Sequence, residues 1–368
     1  MQTENDPGTN EGAYQKLAAH LDRLPGGFPP SDTGAEIGLL KCLFTPAEAA
    51  LASWLTLDQE EAGVIAARAS LPVAEAEQRL SQMAQKGLIF AVQPPNQPAR
   101  YQAAPFVVGI YELQVNNLSP EVLQALTAYQ STRKSRPPVP TIPQLRTIPV
   151  HQSIDIHLEA LPHEQVRELV QGHRRYAVAP CICRRRARLT GAGCKAPEES
   201  CLIFDEWADY YLRTGRGRAV ELSEVRQILE RADAANLVLQ PSNSKDIAFL
   251  CCCCRCCCGI LRAIQQHPRP AEVVASPFRA QLDPAACQGC WTCLDRCPMS
   301  ALAREDGRVA LNADRCIGCG LCVSTCPSGA LTLQRRADRL SSDTPANLND
   351  TWRIVSQAQA RARCEQQG

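Results

Sequence analysis

Aromatic residues are scarce in this 368-residue chain, with four Trp, seven Tyr and seven Phe beside only three Met. That leaves few of the stacking platforms that single-strand nucleic-acid binders use. An excess of one charge is missing too. The 39 Lys and Arg against 38 Asp and Glu give a net charge of +1, so no global field draws the chain to nucleic acid or to a membrane surface. No apolar run approaches the length that spans a bilayer. The opening residues, MQTENDPGTNEGAYQKL, lack the apolar core of a signal peptide, which points to a cytoplasmic, reducing location. The six histidines (His20, His151, His157, His163, His173 and His267) form no HxxxH or HxxE pair, so each reads as a surface or internally satisfied side chain. A Rossmann fingerprint, a Walker loop and a flavin motif are absent as well, and Gly215-Arg216-Gly217-Arg218 reads only as a turn. Hydride chemistry must then lie in another protein.

What the chain has in abundance is cysteine, 21 residues in all. In a reducing compartment that number signals metal or redox chemistry rather than disulfides. Eight fall into two runs of identical spacing: Cys287-x2-Cys290-x2-Cys293-x3-Cys297-Pro298 and Cys316-x2-Cys319-x2-Cys322-x3-Cys326-Pro327. This is the bacterial pattern for two [4Fe–4S] cubanes, in which the fourth cysteine of each run serves the other run's cluster. The expected ligand sets are Cys287, Cys290, Cys293 and Cys326 for the first cluster, and Cys316, Cys319, Cys322 and Cys297 for the second. Zinc sites use paired CxxC knuckles, not a triple CxxCxxC with a distant fourth. The repeat extends beyond the cysteines: Leu282-Asp283 matches Leu311-Asn312, and Ala301-Leu302 matches Ala330-Leu331. Each half reads as a strand, a cysteine loop, a helical turn and a return strand. Two copies about a pseudo-twofold predict the small α+β ferredoxin fold. Residues 279–333 resemble two-cluster ferredoxins, and that resemblance implies single-electron transfer.

The second constellation lies upstream. It comprises Cys181-Ile182-Cys183-Arg184, Cys194, Cys201 and the run Cys251-Cys252-Cys253-Cys254-Arg255-Cys256-Cys257-Cys258. One or two buried thiols can be core, but seven in eight residues are an oxidation hazard unless a metal holds several as thiolates. An extended run would put Cys251 and Cys253, or Cys252 and Cys254, on one face. A helical run would align Cys251, Cys254 and Cys258. The candidate third metal site is drawn from Cys181, Cys183, Cys251, Cys254 and Cys258, as a third Fe–S cluster or zinc, with a thiol/disulfide relay as the alternative. Arg184, Arg185, Arg186 and Arg188 follow directly. They either tune thiolates, bind an anion or acidic partner, or form a solvated basic face.

The chain as a whole is predicted to be multidomain α+β. Residues 1–130 form a winged-helix-like helical domain, with helices expected at Glu36–Phe44, after a Thr45 cap with Pro46 at its first position, at Asp58–Ala69 and at Pro72–Lys86. A two-stranded wing follows at Leu88–Val92 and Tyr101–Gly109. Residues 1–150 hold 11 basic against 14 acidic residues, so partner docking is favoured over DNA reading, which needs phosphate-neutralising cations. Residues 131–150 are a Pro-rich linker. Residues 151–270 are a cysteine-rich α/β domain, with helices at Pro162–His173, Leu202–Arg213 and Ser223–Ala235 and strands at Tyr176–Ala179 and Leu237–Leu239. Residues 271–335 are the ferredoxin domain. Residues 336–368 are a polar tail with one helix near Asn349–Arg363 and a solitary, non-functional Cys364.

Taken end to end, the chain resembles the multidomain 4Fe–4S dicluster-domain proteins of anaerobic and sulfur-metabolising bacteria. The resemblance rests on Leu24-Pro25-x-Gly27-Phe28-Pro29, on Pro105–Glu112, on Cys181-x-Cys183-Arg184 and on the run opening at Cys251. Relatives carry Asn where this chain has Cys252. The resemblance implies an electron-transfer protein that exchanges single electrons with a partner flavoprotein or other oxidoreductase. Two alternatives follow from the same residues: an Fe–S oxidoreductase with an open-coordination cluster in the middle domain, and an Fe–S redox-sensing winged-helix regulator.

Overall fold

The structure is a computed structural model that describes residues 7–132, 142–150, 153, 160–336 and 344–367. The chain divides into two compact units: Met1–Gln144 with Asp209–Arg216 and Trp352–Gly368, and Leu145–Ala208 with Gly217–Thr351.

In the first unit, Thr45 caps the helix Pro46–Ala52 through a capping box. Its hydroxyl accepts from the Glu48 N–H and the Glu48 carboxylate accepts from the Thr45 N–H at 2.8 Å. The next helix, Ala62–Ala69, starts later than Asp58 because the Asp58 N–H donates to Thr56 Oγ1 at 3.2 Å, which closes a turn there. Glu60–Glu61 form a short strand instead (β1). The helix Val73–Lys86 buries Ala76, Leu80, Met83 and Ala84 and stops at Gly87, whose φ of 76° suits glycine. Strands β2 (Ile89–Val92) and β3 (Arg100–Ala103) follow as an antiparallel hairpin, and β1 adds to the outer side of β3. The return strand ends well short of Gly109, because Pro105 lacks a donor and Val108 adopts a φ of 62°.

The helix expected near Asn349–Arg363 runs over Leu348–Gln367, and it is not polar throughout: Trp352 in it is wholly buried. Trp352 stacks on Phe90 with ring centroids 5.9 Å apart, and its Nε1 donates to Gln144 Oε1 at 2.9 Å. Tyr210 anchors the helix Val73–Lys86 to β2, its hydroxyl shared between the Ala84 and Ile89 carbonyls at 2.8 and 2.9 Å. Trp352→Ala should therefore destabilise this unit by about 3–5 kcal/mol, the range for removing a large buried aromatic. Urea titration followed by far-UV circular dichroism measures it; a loss under 1 kcal/mol would show that the helix contributes little.

The second unit is built on five strands: β4 (Tyr176–Pro180), β5 (Glu199–Phe204), β6 (Arg218–Ala219), β7 (Val238–Pro241) and β8 (Phe249–Cys253). They lie in the order β6-β4-β5-β8-β7, and every pair is antiparallel, so the middle region does not have the parallel sheet of an α/β fold. Leu202, Ile203 and Phe204, expected in a helix, are buried in central β5, and the helix begins only at Asp205. An apolar run flanked by a strand on each side is worth more paired than coiled. The helix Pro162–His173 shrinks to a turn at Pro162–Glu164 and a helix at Val166–Gln171.

Of the expected linker, residues 133–141 lie outside the described residues. Leu145 and Ile148 are buried and bridge to Ser242 and Leu239, so this stretch lines the sheet. Four further strands complete the unit: β9 (Phe278–Leu282), β10 (Leu302–Glu305), β11 (Arg308–Leu311) and β12 (Leu331–Arg335). β9 pairs with β12 and β10 with β11, both antiparallel. The two halves repeat each other's bonds. Asp283 N–H donates to Ala330 O at 2.8 Å, and its counterpart Asn312 N–H donates to Ala301 O at 2.8 Å. One apolar core runs from Val178, Leu202 and Leu250 of the sheet to Met299, Leu321 and Leu331 of the repeat.

Candidate metal centres

The repeat gathers its eight cysteines into two groups. Cys287, Cys290 and Cys293 of the first run and Cys326 of the second line one cavity of ≈ 330 Å³, with Leu282, Trp291 and Val309 around them. Cys316, Cys319 and Cys322 of the second run and Cys297 of the first line another of ≈ 360 Å³, with Ala280, Met299 and Ile317. The crossing is enforced by backbone. Cys297 closes the short helix Thr292–Arg296, and the proline after it ends the turn. At Gly318 and Gly320, φ is 71° and 73°, and a side chain would run into the Phe278 carbonyl or Ser153 Oγ. Only glycine lets the second loop pass so close.

The two quartets differ in access. All four sulfur residues of the ≈ 360 Å³ group are buried, and burial pushes the thiols of Cys316, Cys319 and Cys322 up. In the other group Cys290 is exposed, and hydrogen bonds from the Thr292 backbone and side chain bring its thiol down. Backbone donors also reach sulfur in the interior quartet: Ala280 N–H to Cys316 at 3.3 Å and Ala301 N–H to Cys297 at 3.2 Å. A ring of soft sulfur donors around a void, with N–H groups aimed at them, fits an iron–sulfur cluster.

Residues 279–327 match a family model described as a 4Fe-4S dicluster domain. The chain carries an iron–sulfur module. No curated protein and no solved structure matches the chain. Among the described residues, no helix is long and apolar enough to cross a membrane.

The upstream cysteines separate into two further groups, which the five candidates Cys181, Cys183, Cys251, Cys254 and Cys258 do not respect. Register sets the first. Cys201 of β5 stands opposite Cys251 of β8, and Cys253 shares its face two residues on. Cys181 and Cys258 are the N-caps of the helices Ile182–Leu189 and Gly259–Gln266. Each of six thiols shifts the acidity of the next around a ring: Cys181, Cys183, Cys258, Cys253, Cys251, Cys201 and back to Cys181.

Within that ring the thiols are strongly coupled. Bonds from Cys183 and Cys201 draw the Cys181 thiol far down; bonds from Cys201 and Cys253 bring Cys251 to about 5; bonds from Cys183 and Cys253 lower Cys258. Cys183, Cys201 and Cys253 are pushed up by the same partners. The N–H groups of Ile260 and Leu261 at the helix start also favour the Cys258 thiolate.

Cys254 stands elsewhere. Its Sγ and those of Cys194, Cys256 and Cys257 all lie within 4.8 Å of one another. Cys252 joins neither group: it points away from the ring on β8, and burial raises its thiol to about 12. Cys194, Cys201, Cys256 and Cys257 are thus not among the candidate ligands, and Cys253 is foreseen only as the partner of Cys251 in an extended run, the conformation β8 adopts. The dense run signalled metal, but the sorting depends on β5, a partner about 50 residues away in sequence.

Arg184 is buried beneath these groups. Its guanidinium donates twice to the Cys252 carbonyl at 3.1 Å and once to Ser200 Oγ. Burial opposes its charge, but the Cys181 sulfur and a hydrogen bond with Cys254 outweigh that and raise its pKa. Arg185 and Arg188 instead pair with Glu198, at 2.7 and 2.5 Å. The arginine run is not one solvated basic face. Its first member serves the interior. His173 is satisfied by Asp205 Oδ2 at 2.7 Å and by stacking on Phe204.

Proposed function

We propose that the chain is an iron–sulfur electron-transfer protein, with Cys287, Cys290, Cys293 and Cys326 holding one [4Fe–4S] cluster and Cys316, Cys319, Cys322 and Cys297 holding a second. The observation that carries this reading is the pair of cavities, each bounded by four sulfurs drawn from both runs. When bound, each cluster takes up and gives back a single electron. The protein's own part is to hold thiolates, exclude water and aim N–H groups at sulfur. Cys290 is the exposed end, and Trp291 beside it lies under the Arg304 guanidinium, 4.2 Å from the ring centroid. This face is where a redox partner protein, a flavoprotein or other oxidoreductase, would approach.

The six-sulfur ring is the third centre in this reading, again iron–sulfur. Six donors exceed the four a cubane needs, which favours a relay over the open-coordination cluster of an enzyme. The first unit reads as a winged helix used for docking. On its helix Val73–Lys86, Arg79 is paired with Glu75 at 2.7 Å and Lys86 with Glu48 at 2.7 Å. Cations so engaged are poorly placed to replace phosphate counterions, which disfavours a DNA-reading redox sensor.

The test is iron and acid-labile sulfide per chain on anaerobically purified protein, with electron paramagnetic resonance after dithionite. About twelve irons are expected, four for each of three centres. About eight would remove the ring from the redox path. None would sink the whole reading.

A further inference from the structure

The tetrad Cys194, Cys254, Cys256 and Cys257 is a centre of a different kind. We propose that it binds a single zinc ion through four thiolates, as a structural site separate from any iron–sulfur cluster. The geometry points to this by contrast within one molecule. The two ferredoxin quartets each line a cavity, and their sulfurs are not gathered within 4.8 Å of one another. The tetrad closes on itself: all four sulfurs fall within 4.8 Å of one another, with Cys194 to Cys254 at 3.9 Å and Cys256 to Cys257 at 3.7 Å. Zinc–sulfur bonds of about 2.3 Å set tetrahedral sulfurs about 3.8 Å apart. A cubane is a body of eight atoms and must hold its thiolates farther out.

The surroundings fit a tetrathiolate. Binding Zn²⁺ releases four protons and leaves a net charge of −2, which needs donors and a cation nearby. The backbone N–H of Ala196 reaches Cys194 two residues before it, as in a metal knuckle. The buried Arg184 guanidinium adjoins Cys254, and its Nε–H has no hydrogen-bond partner. Four protein ligands leave no open position, so the site is structural. Its effect is local: it ties the loop after the helix Ile182–Leu189 to the turn between β8 and the helix Gly259–Gln266. Those two helices begin at Cys181 and Cys258 of the six-sulfur ring.

The experiment is zinc and iron per chain, by mass spectrometry, on protein made without added zinc and dialysed against EDTA. About one zinc is expected in the wild type, and a Zn K-edge absorption spectrum should show four sulfurs at about 2.3 Å. Cys194→Ser and the double change Cys256→Ser/Cys257→Ser should lower zinc at least five-fold while iron and visible absorbance stay at wild-type values. The spectrum needs only the wild type, so it decides the ligand set even if a variant fails to fold. Zinc below about 0.1 per chain in iron-loaded protein would overturn the proposal. So would a variant that loses iron instead, or a zinc shell containing nitrogen or oxygen. Because zinc is counted separately, an iron-free protein that still holds zinc would fail the electron-transfer reading and leave this one standing.

Discussion

Cys326→Ser is expected to cost the protein about four irons and to take them from the quartet of the other run. The ferredoxin cluster that remains should then be the one lined by four buried cysteines, slow to release iron to a chelator. Cys297→Ser should do the reverse: although it lies in the first run, it should strip the interior quartet and leave the exposed one at Cys290. Anaerobic release of iron to a ferrous chelator separates the two outcomes by rate. If each run kept its own cluster, the two variants would exchange behaviours, and the crossed assignment would be wrong.

The second large effect concerns Arg184. Arg184→Leu keeps the bulk of the side chain but removes the donors to the Cys252 carbonyl and Ser200 Oγ and the cation beside the thiols. Removing one partner of a buried charged network costs about 3–5 kcal/mol, so the variant is expected to unfold at markedly lower denaturant. Arg184→Lys should recover only part of the loss, since an ammonium restores the charge and not the planar fork that reaches two acceptors at once. Equal stability of the leucine variant and the wild type would mean that the six sulfurs carry no net negative charge.

The sequence was most informative where spacing is local and repeated. The gathering of eight cysteines into two crossed quartets follows from two runs with the same gaps, and the Leu-Asp/Leu-Asn and Ala-Leu pairs sit on matching hydrogen bonds. Thr45 and Pro46 announced their helix for the same reason: capping is settled within three residues. The middle region was opaque because its sites are made by pairing. Cys201 meets Cys251 only through β5 and β8, and nothing near Cys201 predicts that register. Phe204, Trp207 and Tyr211 mimic a helical stripe, yet the first of them is the last residue of a central strand. Trp352 belongs to a short buried stripe of Leu348, Thr351, Trp352 and Val355, which ends after two turns and leaves the rest of the helix polar.

The crossed pairing also sets an order of assembly on the ribosome. The buried quartet has its four sulfurs once Cys322 has been made, whereas the exposed one waits for Cys326, and β12 lines both cavities, with Leu333 in the first and Leu331 in the second. A nascent chain therefore acquires its interior ligand set first, yet neither centre has its walls until β12 pairs with β9.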